Sequence, residues 1–180
     1  MGGWPQDADL ASWFRDGHRA LVEALASAPA DLDTWTFLDA PTPLAFWARR
    51  QAHETAIHRI DAESAVDDVT GFPSGFAADG IDELLLRFAR RSGRTLPVET
   101  ARSMAVRATD VSRSWRVTFA PLGFKIQADP IDADVELVVT GNASELYVML
   151  WNRRDTAGLE LDDEPDLLDL WREPVRIRWS

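Results

Sequence analysis

The feature that most constrains this chain is a change of hydrophobic period near residue 97. Before it, apolar residues recur every three to four positions; after it, every second one. A chain that switches in this way buries helix stripes in one part and a sheet face in the other. Leu10, Trp13, Phe14, Leu21, Val22 and Leu25 predict an amphipathic helix over about 8–27, ended by Pro29. A loop carrying Trp35 and Phe37 follows. Thr42-Pro43 then pairs an N-cap with a residue suited to the first helical position, and the second helix runs to about Ala65. Gly71, Pro73 and Gly75 separate it from a third helix over about 76–91, with Gly93 as its stop.

Beyond Pro97 the alternations Met104/Val106/Ala108, Trp115/Val117/Phe119, Phe124/Ile126 and Val135/Leu137/Val139 predict strands. Ala120-Pro121-Leu122-Gly123 is a turn between two of them. Asn142 and Glu145 form a capping box for a helix through about Trp151. A short strand at Leu159 and Leu161, a helix from Asp163–Pro165 to Arg172 and a strand through Val175, Ile177 and Trp179 complete the chain. The expected class is α+β: a helical domain over 1–95, then a domain over 96–180 with a mainly antiparallel sheet. Three helices make a thin bundle core, one helix short of the commoner four. A homodimer would cover the apolar surface this leaves.

Composition narrows the chemistry. The chain has no cysteine, so thiolate metal sites, disulfides and a cysteine nucleophile are excluded together. A net charge of −11 is the wrong sign for a nucleic-acid binder. No apolar run is long enough to span a membrane, and the N-terminus lacks the pattern of a secretory signal. A cytoplasmic protein is expected. Phosphate loops, nucleophile elbows and serine-triad signatures do not occur.

One helix face carries chemical interest. Glu54, His58 and Asp61 stand at i, i+4 and i+7, within about 60° of one another at 100° per residue. A carboxylate and an imidazole one turn apart can reach one divalent ion, and bundle metal sites are built in this way. A solvated polar face is the commoner occupant of such spacing. His53-Glu54 with His58 departs by one residue from the zinc-protease pattern, which puts His53 and His58 about 140° apart. His53 fits better as a packing residue beside Ile57 and Ile60. His18, on the apolar stripe of the first helix, is a candidate third ligand or a partly buried histidine. Arg153 and Arg154 close the helix after Asn142. They suit either the helix dipole or the bidentate recognition of a carboxylate. Most of the eight tryptophans are expected in the core.

Three segments carry a resemblance to a known family. The run Phe46-Trp-Ala-Arg-Arg-Gln-Ala-His-Glu-Thr-Ala-Ile-His-Arg-Ile-Asp-Ala62 resembles the metal helix of the mycothiol-dependent maleylpyruvate isomerases. Ala78-Asp-Gly-Ile-Asp-Glu83 stands where that family places its next helix. Leu150-Trp-Asn-Arg-Arg154 resembles its C-terminal motif. The resemblance runs from about residue 8 to 180. It implies a DinB-like helical bundle followed by a domain similar to the sterol-carrier α+β fold. It also implies a divalent metal, usually zinc, on Glu54 and His58, and a catalytic role for Arg153 or Arg154. The metal would lower the pKa of the mycothiol thiol. The thiolate would attack an activated double bond of a small carboxylate substrate, and bond rotation and thiol release would give the trans isomer. Asp61 has no implied ligand role. The family's first helices, with their histidine, would precede residue 1. Either the chain is truncated or His18 replaces that ligand. With neither, two ligands would hold metal weakly, and a non-catalytic binding or structural paralogue, dimeric through its uncovered face, is the alternative.

Overall fold

The computed structural model describes residues 5–91, 95–129, 134–162 and 166–173. They form two compact units, Met1–Glu54 and Thr55–Ser180, with the boundary inside the second helix. The expected strand at Val175–Trp179, the stop at Gly93 and the opening at Asp163–Pro165 lie outside the described residues.

In the first unit, a 3₁₀ turn at Asp7–Asp9 leads into α1, Leu10–Ser27. The apolar stripe read from the sequence is there, yet α1 buries none of its residues. Leu10, Trp13, Phe14 and Val22 remain 48–59% exposed. The loop after it holds Trp35 and Phe37 against Phe46 and Trp47, with the Trp47 indole N–H donating to the Trp35 carbonyl at 3.0 Å. Helix α2, Pro43–Ser64, starts as its cap chemistry dictates: the Thr42 hydroxyl accepts from the Ala45 N–H at 3.1 Å.

In the second unit, α3 spans Ser74–Asp82 and passes into a π turn, Glu83–Phe88, and a 3₁₀ turn, Ala89–Arg91. The sequence pattern predicted one regular helix here. The adjacent Leu84 and Leu85 are both fully buried, as they would also be on the inner stripe of a regular helix.

Strands β1 (Arg102–Ala108), β2 (Arg113–Ala120) and β3 (Gly123–Ala128) form an antiparallel meander. The chain then crosses back, so that β4, Leu137–Gly141, lies parallel to β1 with Val106 opposite Val139. Helix α4, Ala143–Leu150, is followed by β5, Glu160–Leu161, antiparallel to β4, and by α5, Asp166–Arg172. The sheet order is β3-β2-β1-β4-β5. One sheet face presents Met104, Val106, Trp115, Val117, Phe119, Leu137 and Val139 to the core, together with Leu146, Tyr147, Leu167, Leu168 and Trp171 from the helices. The class is therefore α+β, helices first and then a mixed, mainly antiparallel sheet. Among the described residues no helix is long and apolar enough to cross a membrane.

Two polar ties fix this core. Asp82 accepts from both the Arg113 guanidinium, at 2.9 and 3.0 Å, and the buried Trp115 indole, at 2.7 Å. The buried Trp171 indole donates to the Leu150 carbonyl at 3.0 Å.

Candidate functional site

The two arginines of the C-terminal motif owe their positions to the way α4 ends. Asn142 accepts from the Glu145 N–H at 2.9 Å and returns a bond to its carboxylate, so the capping box forms as read. At the other end Asn152 takes φ 58°, a left-handed conformation that asparagine tolerates. The Arg153 N–H reaches back to the Val148 carbonyl at 3.1 Å and the Asn152 N–H to that of Met149 at 2.8 Å. This pair of bonds is a Schellman stop. It reverses the backbone at residue 152 and sends Arg153 and Arg154 off the helix end.

Arg153 turns toward the last turns of α2. Its Nε donates to Asp61 Oδ1 at 2.7 Å and its Nη2 to Oδ2 at 3.3 Å, while Nη1 holds the Trp151 carbonyl at 3.0 Å. Asp61 is at the same time 2.9 Å from His58 Nδ1. Burial pushes the Asp61 carboxyl upward, but the hydrogen bonds and charges of Arg153, with those of His58, outweigh it and hold the group below the usual carboxylate range. An ionised carboxylate only accepts, so His58 carries a proton on Nδ1 and its lone pair in the neutral ring is on Nε2. Metal-binding histidines are commonly oriented by such a carboxylate.

The same stretch of α2 is tied to the loop that follows. Arg59 pairs with Glu63 at 3.0 Å, donates to the Thr70 hydroxyl and to the carbonyls of Thr70 and Gly71, and stacks over the Phe72 ring at 4.5 Å. The Thr70 N–H, with Arg59, holds the Glu63 carboxyl below its ordinary range.

The sequence candidates thus fall out as follows. His58 and Arg153 meet through Asp61, a residue to which the resemblance gave no role. Glu54, half-buried, accepts from the buried Arg50 at 2.9 Å. His18 stands exposed on α1, whereas His53 is buried. Arg154 does not follow Arg153. It lines a cleft of about 470 Å³ between the Thr70–Phe72 loop and α4, and shares with Arg153 a second of about 460 Å³ beside Arg172. The donor types on α2, a carboxylate and an imidazole backed by a carboxylate, suit zinc. Among the described residues, however, no three His, Asp or Glu side chains gather into a metal-holding group. Sequence reading did not find the Asp61–Arg153 pair or the cleft. Its only local signal was the i,i+3 spacing of His58 and Asp61.

Comparison with known proteins identifies both halves. Residues 4–63 match the model of the mycothiol maleylpyruvate isomerase N-terminal domain, and residues 75–170 match that of the MDMPI C-terminal domain. No curated protein matches the sequence. Among solved structures, the stereoselective inverting sec-alkylsulfatase Pisa1 from Pseudomonas sp. shares 12% identity at a TM-score of 0.39, over 47% of this chain and 15% of its own. A double mutant of the sec-alkyl sulfatase PisA1 shares 10% at 0.36, over 41% of this chain and 12% of its own. The UbiJ-SCP2 ubiquinone synthesis protein shares 18% at 0.37, over 59% and 93%. The chain spans only a small part of either sulfatase, and likenesses this slight carry no argument.

Proposed function

The chain belongs to the mycothiol maleylpyruvate isomerase family, and from that membership we propose that it is a cytoplasmic, divalent-metal-binding, mycothiol-dependent isomerase or thiol transferase acting on a small carboxylate. The observation that supports this most is the Asp61 bridge between His58 on α2 and Arg153 of the C-terminal motif. Two segments far apart in sequence, each resembling a family motif, meet there in one hydrogen-bonded chain.

Glu54 and His58, with His18 as the third candidate, would hold the ion. When bound, the metal supplies acidity to a coordinated thiol, so that thiolate exists at neutral pH. The chain's own residues do the rest. Asp61 fixes the His58 tautomer and presents Nε2 as the donor. Arg153, occupied by Asp61 and the Trp151 carbonyl, positions that carboxylate. Arg154 has no ion-pair partner among the described residues, and we assign it the substrate carboxylate. The test is turnover of maleylpyruvate by the zinc-loaded chain with mycothiol. Turnover that needs the thiol and is lost in His58→Ala and Arg154→Ala is expected. No turnover above the thiol alone would refute the assignment.

A second reading draws on α1. Its half-exposed Leu10, Trp13, Phe14 and Val22 favour a binding or structural paralogue in which two copies cover this face. Sedimentation decides between a dimer and a monomer.

A further inference from the structure

The cleft that Arg154 enters is built before any ligand arrives. The Phe72 N–H donates to the Ser144 hydroxyl at 2.8 Å, which binds the loop to α4. Gly71 packs so closely there that a Cβ would stand 3.2 Å from the same oxygen. Arg59 holds the loop from the other side through the Thr70 and Gly71 carbonyls. The loop wall is therefore set by hydrogen bonds to Ser144 and Arg59 and by the close packing of Gly71.

Its charges are arranged unusually. Arg154 shares about 470 Å³ with two carboxylates, Asp110 and Glu145, yet pairs with neither. Each carboxylate spends one oxygen on structure: Asp110 Oδ1 accepts from the Ala143 N–H at 2.8 Å, and Glu145 Oε2 from the Asn142 side-chain amide at 2.8 Å. Their second oxygens accept nothing among the described residues. One cationic wall and one anionic wall thus face a common space across a gap that the protein does not close. A ligand held on Arg154 by one carboxylate meets like charge if a second carboxylate enters this cleft, so the far end of a dicarboxylate such as maleylpyruvate has to lie outside it. A molecule with opposite charges at its two ends satisfies both walls.

We propose that this cleft binds a small zwitterion, with its carboxylate on Arg154 and its ammonium between Asp110 and Glu145. This deepens the reading that Arg154 receives a substrate carboxylate, and it rests on that reading.

The experiment is isothermal titration of the full chain with glycine, β-alanine, γ-aminobutyrate and 5-aminopentanoate, which sample the span between the charges, and with butyrate and butylamine as singly charged controls. The best amino acid is expected to bind at least about tenfold tighter than either control, one charge-assisted contact being worth about that factor. Arg154→Gln and Glu145→Gln are each expected to remove about tenfold. Glutamine keeps the capping box, and the exposed Arg154 is replaceable without unfolding, which circular dichroism verifies. Butyrate binding as tightly as any amino acid, and weakened by Arg154→Gln, would overturn the zwitterion while leaving the carboxylate role of Arg154 standing. Butylamine binding as tightly as any amino acid would overturn the zwitterion, and amino-acid binding indifferent to Arg154→Gln would overturn both. So would the absence of saturable binding by every compound at about 10 mM.

Discussion

Breaking the link between Asp61 and Arg153 is the perturbation from which the structure predicts most. Asp61→Asn and Arg153→Ala, made singly and together, isolate the pair in a double-mutant cycle. Unit charges about 4 Å apart attract by about 4 kcal/mol at an effective dielectric constant of about 20. The side chains are 38% and 34% exposed, so water and salt remove most of that, and exposed pairs usually retain about 0.2–1 kcal/mol. Two features place this one at the upper end: two guanidinium nitrogens engage the carboxylate, and a third is already anchored on the Trp151 carbonyl. The expected coupling is about 1 kcal/mol at pH 7 and low salt, read from urea denaturation. Its pH dependence has a definite sign. The Asp61 carboxyl lies below its ordinary value in the fold, so the contribution is complete above about pH 4 and is lost as pH falls through the lower folded value. A coupling below about 0.3 kcal/mol at pH 7, within ordinary additivity, would refute the claim that Arg153 fixes this carboxylate.

Three further outcomes follow from the core and the helix stop. Asp82→Ala strips the acceptor from the buried Trp115 indole and a partner from Arg113, and should cost about 2–3 kcal/mol by urea midpoint; a loss under about 1 kcal/mol would contradict that role. Trp171→Phe keeps most of the ring volume but leaves the Leu150 carbonyl without its indole donor, so a loss of about 1–2 kcal/mol is expected, against about 3–5 for Trp171→Ala; a Trp171→Phe variant as stable as the wild type would show that packing alone matters. Asn152→Gly should leave stability within about 0.5 kcal/mol while Asn152→Ala costs about 1 kcal/mol, because only the first accepts φ 58° freely; equal thermal midpoints would count against the Schellman stop.

What could be read from the sequence was whatever is local. The Thr42 cap, the Asn142–Glu145 box, the Pro121–Gly123 turn and the alternation along β2 to β4 depend on residues within a few positions of each other, and each formed as its chemistry requires; β1, in the middle of the sheet, instead buries Ser103 to Val106 in succession. The π turn at Glu83–Phe88 was hidden because Leu84-Leu85-Leu86 satisfies a regular helix equally well. The apolar stripe of α1 was legible, but whether anything buries it is not a property of the stripe. The candidate site was only in part a matter of local spacing. Glu54 and His58 stood out by spacing and resemblance, while Asp61 acquires meaning only from Arg153, 92 positions away. Arg153 and Arg154, adjacent and alike in sequence, part because the left-handed residue before them ends a helix. Arg153 binds Asp61, while Arg154 alone of the two lines the cleft beside the Thr70–Phe72 loop.

His58, held by Asp61 and Arg153, is proposed as a metal ligand that works with a thiol. Calorimetric titration of zinc into the metal-free chain, with and without mycothiol, tests it most directly. One equivalent should bind, more tightly with the thiol present. His58→Ala should abolish binding, and Asp61→Asn should weaken it by about 10–100-fold. Zinc that binds no tighter to the wild type than to His58→Ala, thiol or no thiol, would rule out His58 as a ligand.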